Sequence, residues 1–314
     1  MENQTEVSEF ILLGFGKVLE LKKLLFAIFL MLYLATLLGN GTIFIVVLIE
    51  HQLHSPMYFF LGNLSCLDIF HSSTTVPQML SGFLSELQTI SFNDCMIQLF
   101  FFYFLGSSEA ILLGVMAYDH YVAICKPLHY TIVIRKEVCI LMAAASLSTV
   151  FLHALMHAVV TAYLPFCGSN HIEHFVCDTK PLLKLACGST QLSLMLLNIV
   201  TSCIAIGPFL ITVLSYLYII TFLLFKMQSQ SGRQKAFSTC GSHLSMVALL
   251  YVPVLLNYMI PTVGTSSQRD MILTLMYSAI TPVLNPLIYT LRNQEVKRAV
   301  KKIWGKKSLF VGCK

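Results

Sequence analysis

Charged side chains are scarce in this sequence. Only 11% of its 314 residues are Asp, Glu, Lys or Arg, whereas 56% are hydrophobic. A soluble domain carries roughly 25% charged residues, so the composition argues against a soluble globular protein. It is typical of a chain that crosses a membrane several times.

Patterns that carry catalytic or nucleic-acid chemistry are also missing. The sequence holds no glycine-rich phosphate loop, no nucleophile elbow and no His-Glu-x-x-His pair, so we do not expect an enzyme. No basic and aromatic surface lies outside the apolar stretches, which excludes nucleic acid as a partner. His153 and His157 have a spacing that can hold a metal, but no third ligand accompanies them, and we expect packing instead. No cofactor is therefore expected, apart from the ion considered below.

Seven apolar stretches are each long enough to cross a bilayer as a helix, which takes about 20 residues. They are Leu24–Ile49, Met57–Leu80, Ile97–Tyr118, Val138–Leu164, Leu194–Phe225, Ala236–Ile260 and Ile272–Leu291. The predicted fold class is an all-α membrane protein, a seven-transmembrane helix bundle over residues 24–291. A tail of residues 1–23 precedes the bundle, and a segment of residues 292–314 follows it.

The basic residues are unevenly shared between the two ends of these helices. Fourteen of the 20 Lys and Arg follow the third, fifth or seventh stretch. Because basic residues concentrate on the cytoplasmic side, we expect a plasma-membrane protein with its N-terminus outside and its C-terminus in the cytoplasm. Asn3 then begins a glycosylation sequon in the outer tail. Apolar residues near helical spacing in 292–314 predict a short amphipathic helix on the lipid of the inner leaflet.

Two acids lie inside apolar stretches, Asp68 in the second and Glu109 in the third. Ionisable residues within a membrane are expensive and are usually functional. At similar depth, the two carboxyl groups are expected to share a proton or to bind a cation such as Na⁺ through oxygen ligands. The alternative is that each is protonated and hydrogen-bonded to Ser or Asn.

Four cysteines fall on the predicted outer side. Cys95 opens the third stretch, and Cys167, Cys177 and Cys187 lie in the longest outer loop. Disulfides form in that oxidising compartment, and four cysteines allow three connectivities. A bridge from Cys95 to the loop would hold the loop over the mouth of the bundle, although the residues alone leave the pairing open.

Six motifs follow one another along nearly the whole chain. They are Phe10–Phe15, Pro56–Leu61, Met116–Tyr130, Ser215–Tyr216, Lys235–Cys240 and Pro282–Asn293. In this order, and each in its expected place, they resemble the odorant (olfactory) receptors, a branch of the rhodopsin-like G-protein-coupled receptors. The opening motif resembles that of the tetrapod-type, class II members.

The resemblance implies a specific pairing of the outer cysteines. The family's bridge from the third helix to the outer loop corresponds to Cys95 and Cys177. Its second bridge, within the loop, corresponds to Cys167 and Cys187.

The resemblance also implies an ion or proton site and an activation switch. The site corresponds to Asp68 and Glu109. In the activation switch, Tyr216 of the fifth helix is expected to be the partner of Tyr289 when the seventh helix rearranges on activation. The residues implied in switching and G-protein coupling are Asp119, His120, Tyr121, Tyr216, Lys235, Asn285, Pro286 and Tyr289.

Odorants are small and mostly apolar, so the implied ligand site should be a closed hydrophobic cavity with few polar groups. Depth and helical spacing predict ten residues around it, with ordinary helix packing as the alternative for each: Phe102, Tyr103, Gly106, Ser107, Val200, Ile204, Tyr251, Val254, Tyr258 and Ser278. No unpaired acid is predicted at pocket depth above Glu109. We therefore expect small neutral volatile ligands rather than an obligate amine.

The implied function is odorant-gated activation of a heterotrimeric stimulatory G protein, which raises cAMP. His120 departs from the family pattern, in which Arg stands here and pairs with the preceding Asp at rest. Because His has two ring nitrogens and Arg has five donors on a long stem, we expect weakened coupling. An alternative is a folded receptor that binds ligand with little or no signalling. A channel or transporter is a remote alternative, since the stretches display neither a polar pathway nor matching halves.

Overall fold

The structure is a computed structural model that describes residues 7–15, 21–53, 55–85, 87–167, 169–187, 190–259, 267–293 and 295–302. Long helices form a bundle around a shared hydrophobic core. They are α1 (Lys22–Ile49), α2 (Pro56–Leu84), α3 (Phe92–Cys125), α4 (Lys136–Ala162), α5 (Gln191–Phe225), α6 (Gln230–Tyr258) and α7, which joins Ser267–Leu275, a π-helical turn Met276–Ile280 and Thr281–Arg292. The predicted helix bundle is confirmed.

Six of these helices have both the length and the apolar composition needed to cross a membrane. α2 has the length, 29 residues, but it carries more polar side chains. Four of these are buried in the bundle: Asp68, His71, Ser72 and Thr75. Polarity is tolerated in α2 because these side chains face other helices rather than lipid.

At their N-terminal ends, the helices begin before the apolar stretches from which they were predicted. α3 begins at Phe92 rather than Ile97, because Ser91 caps it by accepting a hydrogen bond from the backbone N–H of Asp94 at 3.1 Å. α1 and α7 approach closely where a Cβ on Gly39 would lie 2.9 Å from Pro286. Beside this contact, the amide of Asn40 donates to the backbone oxygen of Pro282 at 2.8 Å.

The end of the bundle that is predicted to face outward, called the outer end below, carries a small β-sheet, which the all-α prediction did not include. β1 (Glu9–Leu12) pairs antiparallel with β2 (Gln88–Ser91) and parallel with β3 (His171–Ile172). The pairing satisfies backbone groups of three outer segments that would otherwise be buried without partners. Phe10, in β1, is buried under the sheet against Phe166, with ring centroids 5.3 Å apart.

Two disulfides connect the long outer loop. One joins Cys95, in α3, to Cys177, with Cα atoms 5.5 Å apart. The other joins Cys167 to Cys187, with Cα atoms 5.8 Å apart. The structure thus contains the pairing that the resemblance implied.

The cytoplasmic helix of the prediction is described only over residues 295–302. Val296 and Ala299 are buried, and Lys302 forms an ion pair with Glu50 at 2.8 Å. This helix therefore packs on the inner end of α1. Asn3 and residues 303–314 lie outside the described part of the chain.

Candidate functional site

A cavity of about 50 Å³ lies between α3, α4, α5, α6 and α7, below the outer loop. Its lining is largely aromatic and aliphatic. The residues around it are Phe102, Tyr103, Gly106, Ser107, Ala110, His153, Thr201, Ile204, Ala205, Leu250, Tyr251, Val254, Tyr258 and Tyr277.

Eight of the ten residues predicted around the cavity line it, and two do not. Val200 precedes Thr201, which does line it, and one step along a helix rotates a side chain by about 100°. Ser278 lies in the π-helical turn and donates to the backbone oxygen of Thr274 at 2.8 Å. Sequence reasoning missed six lining residues: Ala110, His153, Thr201, Ala205, Leu250 and Tyr277.

The polar groups on the α4 side of the cavity are hydrogen-bonded to one another. His153 contacts the hydroxyls of Ser107 at 3.0 Å and Thr201 at 3.3 Å. His157 contacts Thr201 at 2.8 Å and Thr179 of the outer loop at 3.0 Å. The His153 and His157 pair therefore takes part in packing and hydrogen bonding, which was the expected alternative to a metal site. Its spacing of four residues was the sequence signal for His153.

The roof of the cavity contains an acid that the sequence analysis did not anticipate. Asp178 is 2% exposed, and its carboxylate accepts hydrogen bonds from Tyr103 at 2.7 Å and Tyr258 at 3.5 Å. The backbone N–H of Thr179 also donates to it at 2.7 Å. The prediction concerned unpaired acids, and the oxygens of Asp178 have partners, so Asp178 adds an acid at this depth without contradicting that prediction. Asp178 belongs to the loop that Cys177 ties down, so helical depth could not reveal it.

A lysine lies beside this acid at the outer end. Lys180 donates to the backbone oxygen of Asn257, and its Nζ atom lies 5.2 Å from the ring centroid of Tyr258. Burial lowers the pKa of Lys180, while the negative charge of Asp178 opposes that shift. The loop thus holds both an acid and a base over the cavity.

The two intramembrane acids have separate partners. Both oxygens of Asp68 accept from the amide of Asn285, at 3.1 and 2.9 Å. Oε1 of Glu109 lies 2.9 Å from Nδ1 of His71. This donor set does not fit Na⁺ as arranged, because amide and imidazole nitrogens occupy the oxygens that an ion would need. His71 follows Asp68 by three residues on the same face of α2, a spacing that could have revealed it.

His120 and Asp119 do not bond to each other in the structure. Nδ1 of His120 donates to the backbone oxygen of Met116 at 2.6 Å. Asp119 instead accepts from Tyr130, in the inner loop, at 2.8 Å. Burial and the neighbouring carboxylate raise the pKa of Tyr130, so its hydroxyl stays protonated and able to donate. The Asp–Arg pair of the family pattern is replaced by two separate contacts.

The predicted meeting of Tyr216 and Tyr289 does not occur as a hydrogen bond. The hydroxyl of Tyr216 contacts Nδ1 of His243, in α6, at 2.8 Å. Within the described residues, the buried hydroxyl of Tyr289 has no partner. The rings of His243 and His120 have centroids 5.2 Å apart. His243, which the sequence analysis missed, therefore links α5 to the switch position on α3.

Two further predicted switch residues occupy the inner end. The ring of Tyr121 lies 5.6 Å from Nζ of Lys126. Lys235 belongs to α6, and its side chain lies outside the described part.

Comparison with known proteins places this arrangement in a family. A family model described as Olfactory receptor matches residues 29–307. The chain is 55% identical to Olfactory receptor 12D1 of Homo sapiens, with 98% of each chain covered. It is 55% identical to Olfactory receptor 12D3 of Homo sapiens, with 98% of this chain and 97% of that one covered, and 46% identical to Olfactory receptor 1F1 of Homo sapiens, with 97% of both covered. The chain therefore belongs to the olfactory receptor family, a group of rhodopsin-like G-protein-coupled receptors that are sensory receptors rather than enzymes.

Proposed function

We propose that this olfactory receptor binds small, neutral, volatile odorants in the cavity between α3 and α6 and activates a stimulatory G protein to raise cAMP. The observation that supports this proposal is a mostly apolar cavity whose polar lining groups already form hydrogen bonds within the protein. Tyr251, for example, donates to the backbone oxygen of Ala110 at 2.8 Å. A ligand that brings many polar groups would find few free partners there.

A neutral ligand is favoured even though Asp178 lies at the roof. Its carboxylate already accepts bonds from Tyr103, Tyr258 and Thr179. An amine would have to displace these donors and would also approach Lys180. Charge on the ligand is thus a disadvantage at this end of the cavity.

We infer that coupling is weakened at His120. The Nδ1 atom points its hydrogen at Met116, and an imidazole is shorter than the guanidinium that the family pattern has there. The second candidate, a receptor that binds odorant with little or no signalling, rests on the same contact. A channel or transporter stays remote, because no observation favours it.

The placement of the chain follows from its basic residues. We propose an extracellular tail over 1–23, a bundle over 24–291 and a cytoplasmic segment over 292–314 that lies on anionic lipid. Asn3 stays a predicted glycosylation site. A sodium ion at Asp68 and Glu109 also stays a prediction, and it would require His71 to leave Glu109.

The test is cAMP accumulation in cells that express the native chain or its His120→Arg variant, against a panel of neutral volatiles and amines, at matched surface expression. We expect neutral compounds to act and the variant to respond several-fold more strongly. Silence in the native chain with a response in the variant would support the non-signalling candidate. An unchanged response to His120→Arg would contradict weakened coupling, and activation by amines alone would contradict the ligand class.

A further inference from the structure

An unsatisfied polar atom lies beside the cavity. His71, on α2, is 0% exposed, and its Nε2 atom has no hydrogen-bond partner among the described residues. Its other ring nitrogen lies 2.9 Å from Oε1 of Glu109, which is 2% exposed. The imidazole therefore has one nitrogen engaged by a buried acid and one nitrogen without a partner. A buried donor or acceptor in that condition is unfavourable until a partner satisfies it.

The unpartnered nitrogen faces the wall of the cavity. A Cβ on Gly106 would lie 3.9 Å from Nε2 and 3.5 Å from Cε1 of His71. The ring of His71 also packs against Phe102 and Tyr277, with centroid distances of 5.5 and 6.4 Å. Gly106, Phe102 and Tyr277 all line the cavity. At Gly106, no side chain fills the space between the imidazole and the cavity.

The cavity has to enlarge to admit an odorant. Its volume of about 50 Å³ is well below the roughly 300 Å³ of ordinary small-molecule pockets. Enlargement towards α4 would disturb the hydrogen bonds among Ser107, His153 and Thr201. Enlargement past Gly106 disturbs no described hydrogen bond of Nε2 and lets the ligand satisfy it. The direction of His71 is therefore the less costly one.

The charge of the pair decides whether Nε2 donates or accepts. In one neutral arrangement, protonated Glu109 donates to Nδ1, and the imidazole hydrogen is on Nε2. In a second, ionised Glu109 accepts from the Nδ1–H of an imidazolium, which also carries a hydrogen on Nε2. A bare Nε2 requires either ionised Glu109 beside a neutral imidazole, or a protonated Glu109 that accepts from Nδ1–H and carries its own hydrogen on Oε2. The first leaves a net negative charge inside the membrane, which is strongly unfavourable. The second leaves the hydrogen on Oε2 without an acceptor, because the contact with His71 is the one hydrogen bond of the Glu109 side chain among the described residues.

The two helices that carry the pair offer no Lys or Arg to offset that negative charge. Neither α2, which carries His71, nor α3, which carries Glu109, contains Lys or Arg. Asp68 lies within electrostatic reach of Glu109, and a second negative charge there would raise the cost. The hydrogen therefore belongs on Nε2, which makes this atom a donor.

We propose that His71 determines the ligand class of the cavity, and that its Nε2–H donates a hydrogen bond to the carbonyl oxygen of a ketone, aldehyde or ester. The proposal rests on the proposed function only in taking this cavity as the ligand site. A hydrocarbon of the same shape leaves Nε2 unsatisfied. An alcohol accepts from Nε2, but it brings a hydroxyl hydrogen for which the paired lining groups offer no free acceptor.

Two substitutions at His71 separate its two nitrogens. His71→Asn keeps an amide where Nδ1 meets Glu109 and removes the group that faces Gly106. His71→Gln places an amide near the position of Nε2 and gives up the contact with Glu109. We expect the Asn variant to lose the preference for carbonyl compounds and the Gln variant to retain part of it. Gly106→Ala should weaken the preference, because its Cβ would narrow the approach to Nε2. Gly207→Ala is the control and should not, since a Cβ added there would have no neighbouring atom within 4 Å.

The experiment measures ligand-dependent thermal stabilisation of the purified full-length receptor, with cAMP accumulation in cells as a second readout. The probes are matched sets: acetophenone, α-methylbenzyl alcohol and ethylbenzene, then cyclohexanone, cyclohexanol and cyclohexane. We expect each ketone to bind about five- to tenfold more tightly than its hydrocarbon and more tightly than its alcohol. That advantage should disappear in His71→Asn.

Several outcomes would overturn the assignment. Equal binding of ketone and hydrocarbon, tighter binding of the alcohols, a ketone preference that survives His71→Asn, or no stabilisation by either ketone would each do so. Stabilisation by ketones without any cAMP response would leave the role of His71 standing and remove the signalling part of the proposed function. A cAMP response to ethylbenzene equal to that for acetophenone would keep the signalling part of the proposed function and remove the role of His71.

Discussion

The outer and inner ends of the helix bundle are held together by different means. At the outer end, a three-stranded sheet joins the N-terminal tail, the connection between α2 and α3, and the long outer loop. Two disulfides hold the long loop in place. At the inner end, the described cysteines are free. Single hydrogen bonds connect its elements: Tyr130, in the inner loop, donates to Asp119 of α3, and Tyr216 of α5 contacts His243 of α6. A small hydrophobic cluster there, separate from the main core, contains Ala117, Tyr216, Ile219, Leu223 and Cys240.

The comparison indicates that the outer end is built for stability and that the inner end can change its contacts more easily. A disulfide contributes about 2–4 kcal/mol, whereas a typical hydrogen bond contributes about 1 kcal/mol. The outer end thus keeps its arrangement over the cavity, while small changes of contact can rearrange the inner end. In a receptor, a ligand bound below the fixed outer end would then change the arrangement of the more adjustable inner end.

The largest expected effect comes from removing the outer cross-link. The double variant Cys95→Ser with Cys177→Ser should lose about 2–5 kcal/mol of folding free energy, and surface expression should fall severely. Flow cytometry of an N-terminally tagged receptor measures this. Cys203→Ser, at an exposed free cysteine, is the matched control and should express normally. Equal expression of the double variant and the control would mean that the disulfide does not hold the outer end.

A smaller effect is expected from neutralising the roof acid. Asp178→Asn keeps the shape but weakens the bonds from Tyr103 and Tyr258, at a cost of about 1.5–3 kcal/mol for hydrogen bonds to a charged group. Thermal unfolding of the purified receptor should shift downward, and odorant potency should fall. Glu173→Gln, at an exposed loop position, serves as the control. A potency unchanged by Asp178→Asn would show that the roof does not shape the cavity.

The inner end should respond to a still milder change. Tyr130→Phe removes the donor to Asp119 and costs about 1 kcal/mol, equivalent to roughly a fivefold shift in a two-state equilibrium. Because this contact is expected to stabilise the resting arrangement, ligand-independent cAMP should rise by up to that factor without loss of surface expression. Tyr163→Phe, at an exposed outer position, should change neither. A fall in basal cAMP would indicate that the contact belongs to the active arrangement.

The smallest effect concerns acidity at the outer end. His174 is buried in the loop, and burial lowers its pKa from the usual 6.5. Above pH 6.5 both folded and unfolded chains keep it neutral. As the pH falls below that value, the unfolded chain takes up the proton first, so stability is lost. We expect the unfolding temperature to fall by about 2–4 °C, on the scale of 1 kcal/mol, between pH 7 and 5.5.

The control for this prediction is His174→Asn. Asparagine retains an acceptor for the backbone N–H of Val176, which donates to Nδ1 of His174 at 3.2 Å, but it does not titrate. The acid-dependent loss should shrink in this variant. A loss of equal size would assign the pH dependence to other groups.

Local sequence was informative wherever one helix alone determines the outcome. Apolar length predicted the seven helices, and helical spacing predicted lining residues such as Phe102, Gly106 and Tyr251. The errors arose where two elements meet. Val200 was displaced by one helical position, and His71 was not identified as the partner of Glu109. A single sequence gives the rotation of a helix only to within about one residue, which is enough to exchange a lining residue for a packing residue.

Spacing along one helix could not predict contacts made from a loop or between two helices. Asp178 reaches Tyr103 and Tyr258, which line the cavity, because Cys177 holds its loop against α3. His71 reaches Glu109 because α2 and α3 pack side by side, and His243 reaches Tyr216 across α5 and α6. Each of these residues was visible as polar or ionisable, but its partner was not.

The sequence by itself determined that this chain is a helical membrane bundle of the olfactory receptor family. The reason is that apolar runs have no alternative to helices in lipid, and ordered motifs along the chain identify the family. The tertiary structure alone decided which polar groups are paired. Among the described residues, Nε2 of His71 has no partner beside the cavity, and Asp119 accepts a hydrogen bond from Tyr130 rather than from His120. Such pairings depend on distances of a few ångströms between elements far apart in the chain, and hydrogen bonds weaken steeply beyond that range.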